Sequence, residues 1–301
     1  MELRQVRYFL KVAEVLNFSE AAKALFITQS TLSQQIKQLE NEFDTLLFER
    51  NSHEVALTEA GSELLVLAKK LLKNAAECEQ RMQDLKGVLV GDLNIGVTFT
   101  FSPLLTETVV EFQKLYPNVR LNVFYKTMSE LMEMLLHREV DFVLAFRPTS
   151  EQEHIDSHVL FSNELVAVVN ERHPLAQHSS ITLKELELYD LAMPAMGLQA
   201  RNSLNDMMIG DSQLKITLEM NDVNILLKLI RQSKLVTVLA EASIHDEEGV
   251  VGIPLEGAKS NMEGCIHTLK QSYVKNSARE FYRLLSRSRA IMKYSSLARL
   301  L

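Results

Sequence analysis

The stretch ALFITQSTLSQQIKQLE, residues 24 to 40, decides how the chain is read. From Gln29 onward Leu32, Ile36 and Leu39 recur at helical spacing on one side. Ser30, Ser33, Gln34 and Lys37 fall at i, i+3, i+4 and i+7 on the other. The apolar side needs a partner surface, and the polar side is built from short hydrogen-bonding groups more than from charge. Upstream, Val6, Phe9, Leu10 and Ala13 repeat at the same period, and Ser19 is placed to cap a short helix carrying Ala21, Ala22 and Leu25. Three short helices with a tight FIT connection between the second and third predict a helix-turn-helix. The following LLFERNSHEVALT alternates like a small β-wing.

Working outward, Thr58 is placed to cap a long helix running to about Lys86. Along it Gly61, Leu64, Ala68, Leu71, Ala75, Cys78, Met82 and Leu85 are spaced alternately by three and four residues. Such a seam predicts a second helix against it, so the element reads as a dimerisation arm. Beyond Gly91 short apolar runs alternate with amphipathic helices, which predicts parallel sheets with helical crossovers. The strand candidates are LNIGVT, VRLNVFY, DFVLAF, LVAVV, DLAMP, KITLEM, LVTVLA, VVGIPL and CIHTLK. Helices are expected over 103–116, 128–137, 200–209, 223–232 and about 277–294. These strands outnumber the places in one five-stranded sheet, so two α/β lobes are expected.

Composition narrows the function classes. The chain has 301 residues, 47% of them hydrophobic, enough for more than one core. Charges break up the N-terminal MELRQVRYFLKVAEV, and no apolar run approaches the roughly 18 residues of a membrane span. A cytoplasmic location and no membrane partner are expected. Cys78 and Cys265 belong to no metal-ligand or disulfide framework, and no metal or cofactor is implied. No glycine-rich phosphate loop, nucleophile elbow or ligand cluster appears; His154 with His158, and His173 with His178, lack a third partner. The chain is therefore not read as an enzyme. The net charge of −7 is the wrong sign for coating nucleic acid, so DNA contact must be local.

The run MELRQVRYFLKVAE, FSEAAKALFITQSTLSQQIKQLE and LLFERNSHEVALTEAG resembles the signature of LysR-type transcriptional regulators. LLKLIRQSKLVTVL and AFRP most resemble the cyanate-operon type within that family. The resemblance implies an α/β protein with an N-terminal winged helix-turn-helix, a linker helix and a two-lobed, periplasmic-binding-protein-like effector domain. It implies a homodimer or homotetramer that binds double-stranded promoter DNA at interrupted palindromes and responds to a small-molecule effector, with RNA polymerase a further candidate partner. The boundaries are 1–58 for the DNA-binding domain (helix-turn-helix about 18–37), 59–88 for the linker and 89–301 for the effector domain. Lobe I takes about 89–161 plus 266–301, and lobe II about 162–265. Three positions depart from the family pattern: Ser30 where proline is usual, Asp44 where a turn glycine is common, and His53 where a wing arginine is usual.

On this reading Gln29, Ser30, Ser33 and Gln34, with Thr31 nearby, face base edges in the major groove, where glutamine pairs bidentately with adenine. Thr28, Lys37 and Arg50 suit phosphates, and His53 sits at the wing tip. Over residues 1–58 six cations (Arg4, Arg7, Lys11, Lys23, Lys37, Arg50) face eight acids (Glu2, Glu14, Glu20, Glu40, Glu42, Asp44, Glu49, Glu54). A slightly acidic headpiece makes few phosphate contacts and leaves affinity to avidity. Cys78, on the seam, is read as a small buried hydrophobe: in antiparallel arms it would oppose roughly residue 67, beyond the ~7 Å reach of a disulfide.

Effector groups are expected at strand ends and helix starts. These are Thr98, Thr100, Thr127, Ser129, Arg147, Arg201 and Thr237, with Thr100 favoured by family correspondence and the two arginines suited to a small organic anion. The alternative is a solute-binding protein that uses the two lobes for capture alone.

Overall fold

A computed structural model describes residues 1–50, 55–148, 152–208, 214–256, 262–289 and 291. It divides into two compact units, Met1–Val88 and Leu89–Leu301.

The first unit contains α1 (Leu3–Val15), α2 (Phe18–Ala24), α3 (Gln29–Phe43), β1 (Phe48–Arg50), β2 (Val55–Leu57) and α4 (Glu59–Leu85). The apolar sides of α1 to α3 share one core around Phe9, Phe18, Leu32, Ile36, Leu39 and Phe48. The rings of Phe9 and Phe18 lie 5.4 and 5.7 Å from that of Phe48, the spacing at which tilted aromatic pairs add about 0.5–1.5 kcal/mol each beyond burial. β1 and β2 pair antiparallel as the expected wing. The cap of α2 is Asn17, not Ser19: its Oδ1 accepts from the amides of Ser19 and Glu20 at 2.9 and 3.0 Å, because the helix starts two residues earlier than the apolar pattern suggests.

The seam of α4 divides. Leu64, Ala68 and Leu71, expected to meet a second chain, pack into the headpiece core, where α1 lies against α4. Gly61 belongs to this contact, since a Cβ there would stand 2.1 Å from the carbonyl oxygen of Leu47. Farther along, the expected seam positions are less covered, although Asp84 is buried. Ala75 is half-buried, Cys78 is exposed rather than buried, and Met82 and Leu85 are 55% and 79% exposed.

In the second unit the elements are β3 (Gly91–Val97), α5 (Ser102–Leu115), β4 (Val119–Tyr125), α6 (Met128–Leu136), β5 (Phe142–Phe146), β6 (Ile155–Asn163), β7 (Leu165–Asn170), β8 (Ile181–Thr182), α7 (Leu183–Leu186), β9 (Leu191–Pro194), α8 (Gln199–Met207), β10 (Ile216–Met220), α9 (Val223–Arg231), β11 (Thr237–Ala240), β12 (Val250–Glu256), β13 (Met262–Leu269) and α10 (Asn276–Leu285). One lobe is built on a five-stranded sheet ordered β4-β3-β5-β13-β6. The other uses a four-stranded sheet, β11-β7-β12-β8, and the pair β9 and β10.

The pair β9 and β10 is parallel, but the two larger sheets are mixed rather than purely parallel. β3 pairs parallel with β4 and β5, as helical crossovers require. β13, however, returns from the second lobe and inserts antiparallel between β5 and β6. The second lobe's central strand β7 is antiparallel to both β11 and β12. β6 has no counterpart among the expected strands: its sequence IDSHVLFSN is polar and its burial irregular, as an edge strand allows. Because β6 runs to Asn163 and β13 starts at Met262, the first sheet ends two residues later and resumes four residues earlier than the expected lobe limits. α10 ends at Leu285 before a turn, and the end of the expected last helix lies outside the described residues.

Candidate functional site

Two surfaces collect the residues singled out by sequence. The first is the outer side of α3. Its core side holds Leu32, Ile36 and Leu39 at zero exposure, which turns the polar side outward. Gln29, Ser30, Thr31, Gln34 and Lys37 are exposed and Ser33 is half-buried. Thr28 is the N-cap, its Oγ1 accepting from the Thr31 amide at 3.2 Å. The same oxygen lies 2.9 Å from Ser30 Oγ and 2.8 Å from Thr31 Oγ1. Gln29 Nε2 donates to Ser33 Oγ at 3.0 Å. The short side chains thus hold one another in place without being covered.

The turn into α3 is tight. Ile27 donates to the Ala22 carbonyl at 3.1 Å, and Phe26 adopts a left-handed φ of 55° with its ring 96% exposed. Asp44 ends α3 at φ 48°, the left-handed conformation that explains the preference for glycine there and that aspartate tolerates.

Arg50 is not the free phosphate cation expected. Its Nη2 donates to Glu40 Oε2 at 3.3 Å and its guanidinium lies 4.1 Å from the centre of the Phe18 ring. Glu40, 6% exposed, also accepts from the amides of Leu47 and Phe48 at 3.0 and 3.3 Å. This carboxylate ties the wing to α3, so Arg50 balances a buried charge. Sequence reading counted Glu40 only as an acid; its long-range partners leave no local signal. His53 lies outside the described residues.

The second surface is a cleft between the two sheets of the Leu89–Leu301 unit. A narrow part, about 20 Å³, is lined by Thr98, Phe99, Thr100, Lys126, Thr127, Met128, Pro194, Gly197, Leu198, Gln199, Ala200, Val223 and Leu239. Most of these residues come from the starts of four helical segments, the 3-10 turn Phe99–Phe101 leading into α5, α6, α8 and α9, with Pro194 from β9 and Leu239 from β11. The Phe99–Phe101 turn and α8 carry no side-chain cap, which leaves first-turn amides for a ligand. Phe99 stacks on Tyr125 with centroids 5.5 Å apart, and burial pushes the Tyr125 hydroxyl pKa up.

Thr127 caps α6 in a capping box with Glu130. Hydrogen bonds from the Thr127 hydroxyl and amide, then from Lys126, hold the Glu130 carboxyl down at about 2. A wider groove, about 420 Å³, continues past Met128, Gly197 and Gln199 to Phe146, Arg147, Pro148, Asn202, Ser203, Asp206, Met262 and Glu263.

Of the expected effector residues, Thr98, Thr100 and Thr127 come together in the narrow part, and Arg147 lines the wide groove. Arg147 is not a bare cation: its Nε is bonded to the Glu263 carboxylate. Three positions line neither part. Ser129 is exposed on α6. Arg201 is buried, with Nη1 in ion contact with Glu219 at 2.8 Å and Nε on Asn205 at 3.1 Å. Thr237 is fully buried within β11. Among the lining residues missed were Lys126, Leu198 and Gln199, whose place in the cleft follows from which helices start there. Cys265 is buried, and that burial raises its thiol to about 11, which makes it a poor thiolate.

Residues 3–62 match the bacterial regulatory helix-turn-helix protein, lysR family, and residues 86–290 match the LysR substrate binding domain. The chain belongs to the LysR family. Among relatives, the uncharacterized HTH-type transcriptional regulator YvbU of Bacillus subtilis is 34% identical over 189 residues, 62% of this chain and 64% of that protein. The RuBisCO operon transcriptional regulator of Allochromatium vinosum is 31% identical over 204 residues, 68% of this chain and 67% of that one. The chain therefore spans about two thirds of the length of these LysR relatives. In fold it is similar to CbnR, solved in full length with its target DNA, at a TM-score of 0.68 and 20% identity, covering 95% of this chain and 99% of that chain. No helix among the described residues is long and apolar enough to cross a membrane.

Proposed function

We propose that this LysR-family chain is a transcriptional regulator that reads promoter DNA through the Gln29–Gln34 face of α3 and is switched by a small organic anion held in the narrow interlobe cleft. The observation that carries the first half is the exposed, self-bonded polar face of α3 above a fully buried apolar side. Its donors and acceptors are of the kind that pair with base edges in the major groove. CbnR, similar in fold, binds target DNA in its solved complex.

The second half is supported by the helical starts, uncapped amides and three threonines that line one cleft. An anion there would be held by amides and hydroxyls, because Lys126 is paired with Glu130 and Arg147 with Glu263. Association through the exposed half of α4, with Cys78, Met82 and Leu85, gives the two headpieces that an interrupted palindrome requires, and avidity offsets the acidic headpiece. RNA polymerase contact and a cytoplasmic location belong to this reading.

The test is footprinting of the chain on its own upstream region with and without small carboxylates. Protection of two spaced half-sites, altered by a carboxylate and lost in Gln34→Ala, is expected. Retention of carboxylates without any selective DNA protection favours the solute-capture reading.

A further inference from the structure

The hydrogen bonding at the end of β5 departs from that of an ordinary strand. β3 pairs with β5 up to Val97 and Leu144, and the Thr98 amide still donates to the Leu144 carbonyl at 3.0 Å. There β3 ends. Two residues on, Phe146 presents its N–H and C=O to the same side, where no strand follows. Gln199, the first residue of α8 in the opposite lobe, fills that place. Its Oε1 accepts from the Phe146 amide and its Nε2 donates to the Phe146 carbonyl, both at 3.2 Å. A carboxamide can do both at once; a carboxylate cannot donate, and a thioether offers only a weak acceptor.

Gln199 also lines both parts of the cleft, together with Met128 and Gly197, so it stands where the narrow chamber meets the wide groove. We infer that Gln199 is the specificity-determining partition of the effector site: bonded to Phe146 it closes the narrow chamber and limits the anion to a short one, and released it joins the two spaces and admits a longer one. This rests on the anion-cleft reading above and adds a size limit to it. The limit comes from one side chain that crosses between lobes, so the residue couples ligand length to lobe closure.

The full-length protein, Gln199→Met and Gln199→Ala are compared in two measurements. Amide hydrogen exchange without ligand reads the latch: the Phe146 amide should exchange about tenfold faster or more in both variants, with Val143 and Leu144 unchanged. Thermal shift with linear dicarboxylates from oxalate to pimelate reads the partition. The parent protein should be stabilised by the short members and the variants by members at least two carbons longer. Gln199→Met keeps the side-chain bulk and carries the test if Gln199→Ala does not fold. An unchanged length preference alongside faster Phe146 exchange overturns the partition and leaves the anion cleft standing. Absence of stabilisation by every dicarboxylate in every protein overturns both.

Discussion

The outer face of α3 and the interlobe cleft place their polar groups by opposite routes. On α3 the polar face comes from one element: a Thr28 cap, a helical period and an apolar side that must be buried. The cleft is assembled from four helical starts and two strand ends spread over more than a hundred residues. On α3 a polar side chain is left uncovered because the helix turns it outward. In the lobes a polar or charged side chain is free only if no distant element brings a partner, and Arg147 and Arg201 both meet one.

The contrast breaks most forcefully if the two units do not unfold separately. Phe48→Ala removes a buried ring packed on Phe9 and Phe18 and should cost about 3–5 kcal/mol of headpiece stability. Calorimetry is expected to lower one transition and leave that of the lobes in place, with DNA binding lost.

A pH series tests the lobes in the same way. Burial, foremost, pushes His267 down from 6.5 to about 4, and its ring nitrogens contact Ser157 Oγ at 2.8 Å and the Ala145 carbonyl at 3.2 Å. The unfolded chain takes up this proton first, so the stabilisation is whole above pH 6.5 and is lost as pH falls toward 4. The loss should reach about 3 kcal/mol. His267→Gln should flatten this acid limb in the transition of the lobes while leaving that of the headpiece unchanged.

Smaller effects sharpen the contrast at single side chains. Gln34→Ala should cost about 1–3 kcal/mol in operator affinity and relax base preference at one position in each half-site, measured by titration against a site and its single-base variants. Thr127→Val removes the cap of α6 at the edge of the cleft and should cost about 0.5–2 kcal/mol of stability, read by denaturant unfolding, without altering affinity for the operator in the absence of effector. The smallest effect is a proton release. Hydrogen bonds from Thr127 hold Glu130 at about 2, so its contribution is present above the ordinary carboxylate range and fades as pH falls toward 2. NMR titration of the Glu130 carboxyl should find that midpoint, and Thr127→Val should return it upward.

Sequence by itself determined the elements whose cause is local. The helix-turn-helix, the wing strands, the α4 cap at Thr58 and the outward turn of Gln29 to Gln34 all follow from period, caps and turn residues within a few positions of one another. It also placed Thr98, Thr100 and Thr127, since each lies between a strand end and a helix start. Only the tertiary structure decided the antiparallel entry of β13, the division of the α4 seam, the pairing of Arg50 with Glu40, and the crossing of Gln199 to Phe146. The physical reason is range: periodicity and capping act over one or two turns, whereas desolvated charges and unpaired strand edges are satisfied by whichever residues the fold brings near, and sequence distance does not constrain that choice.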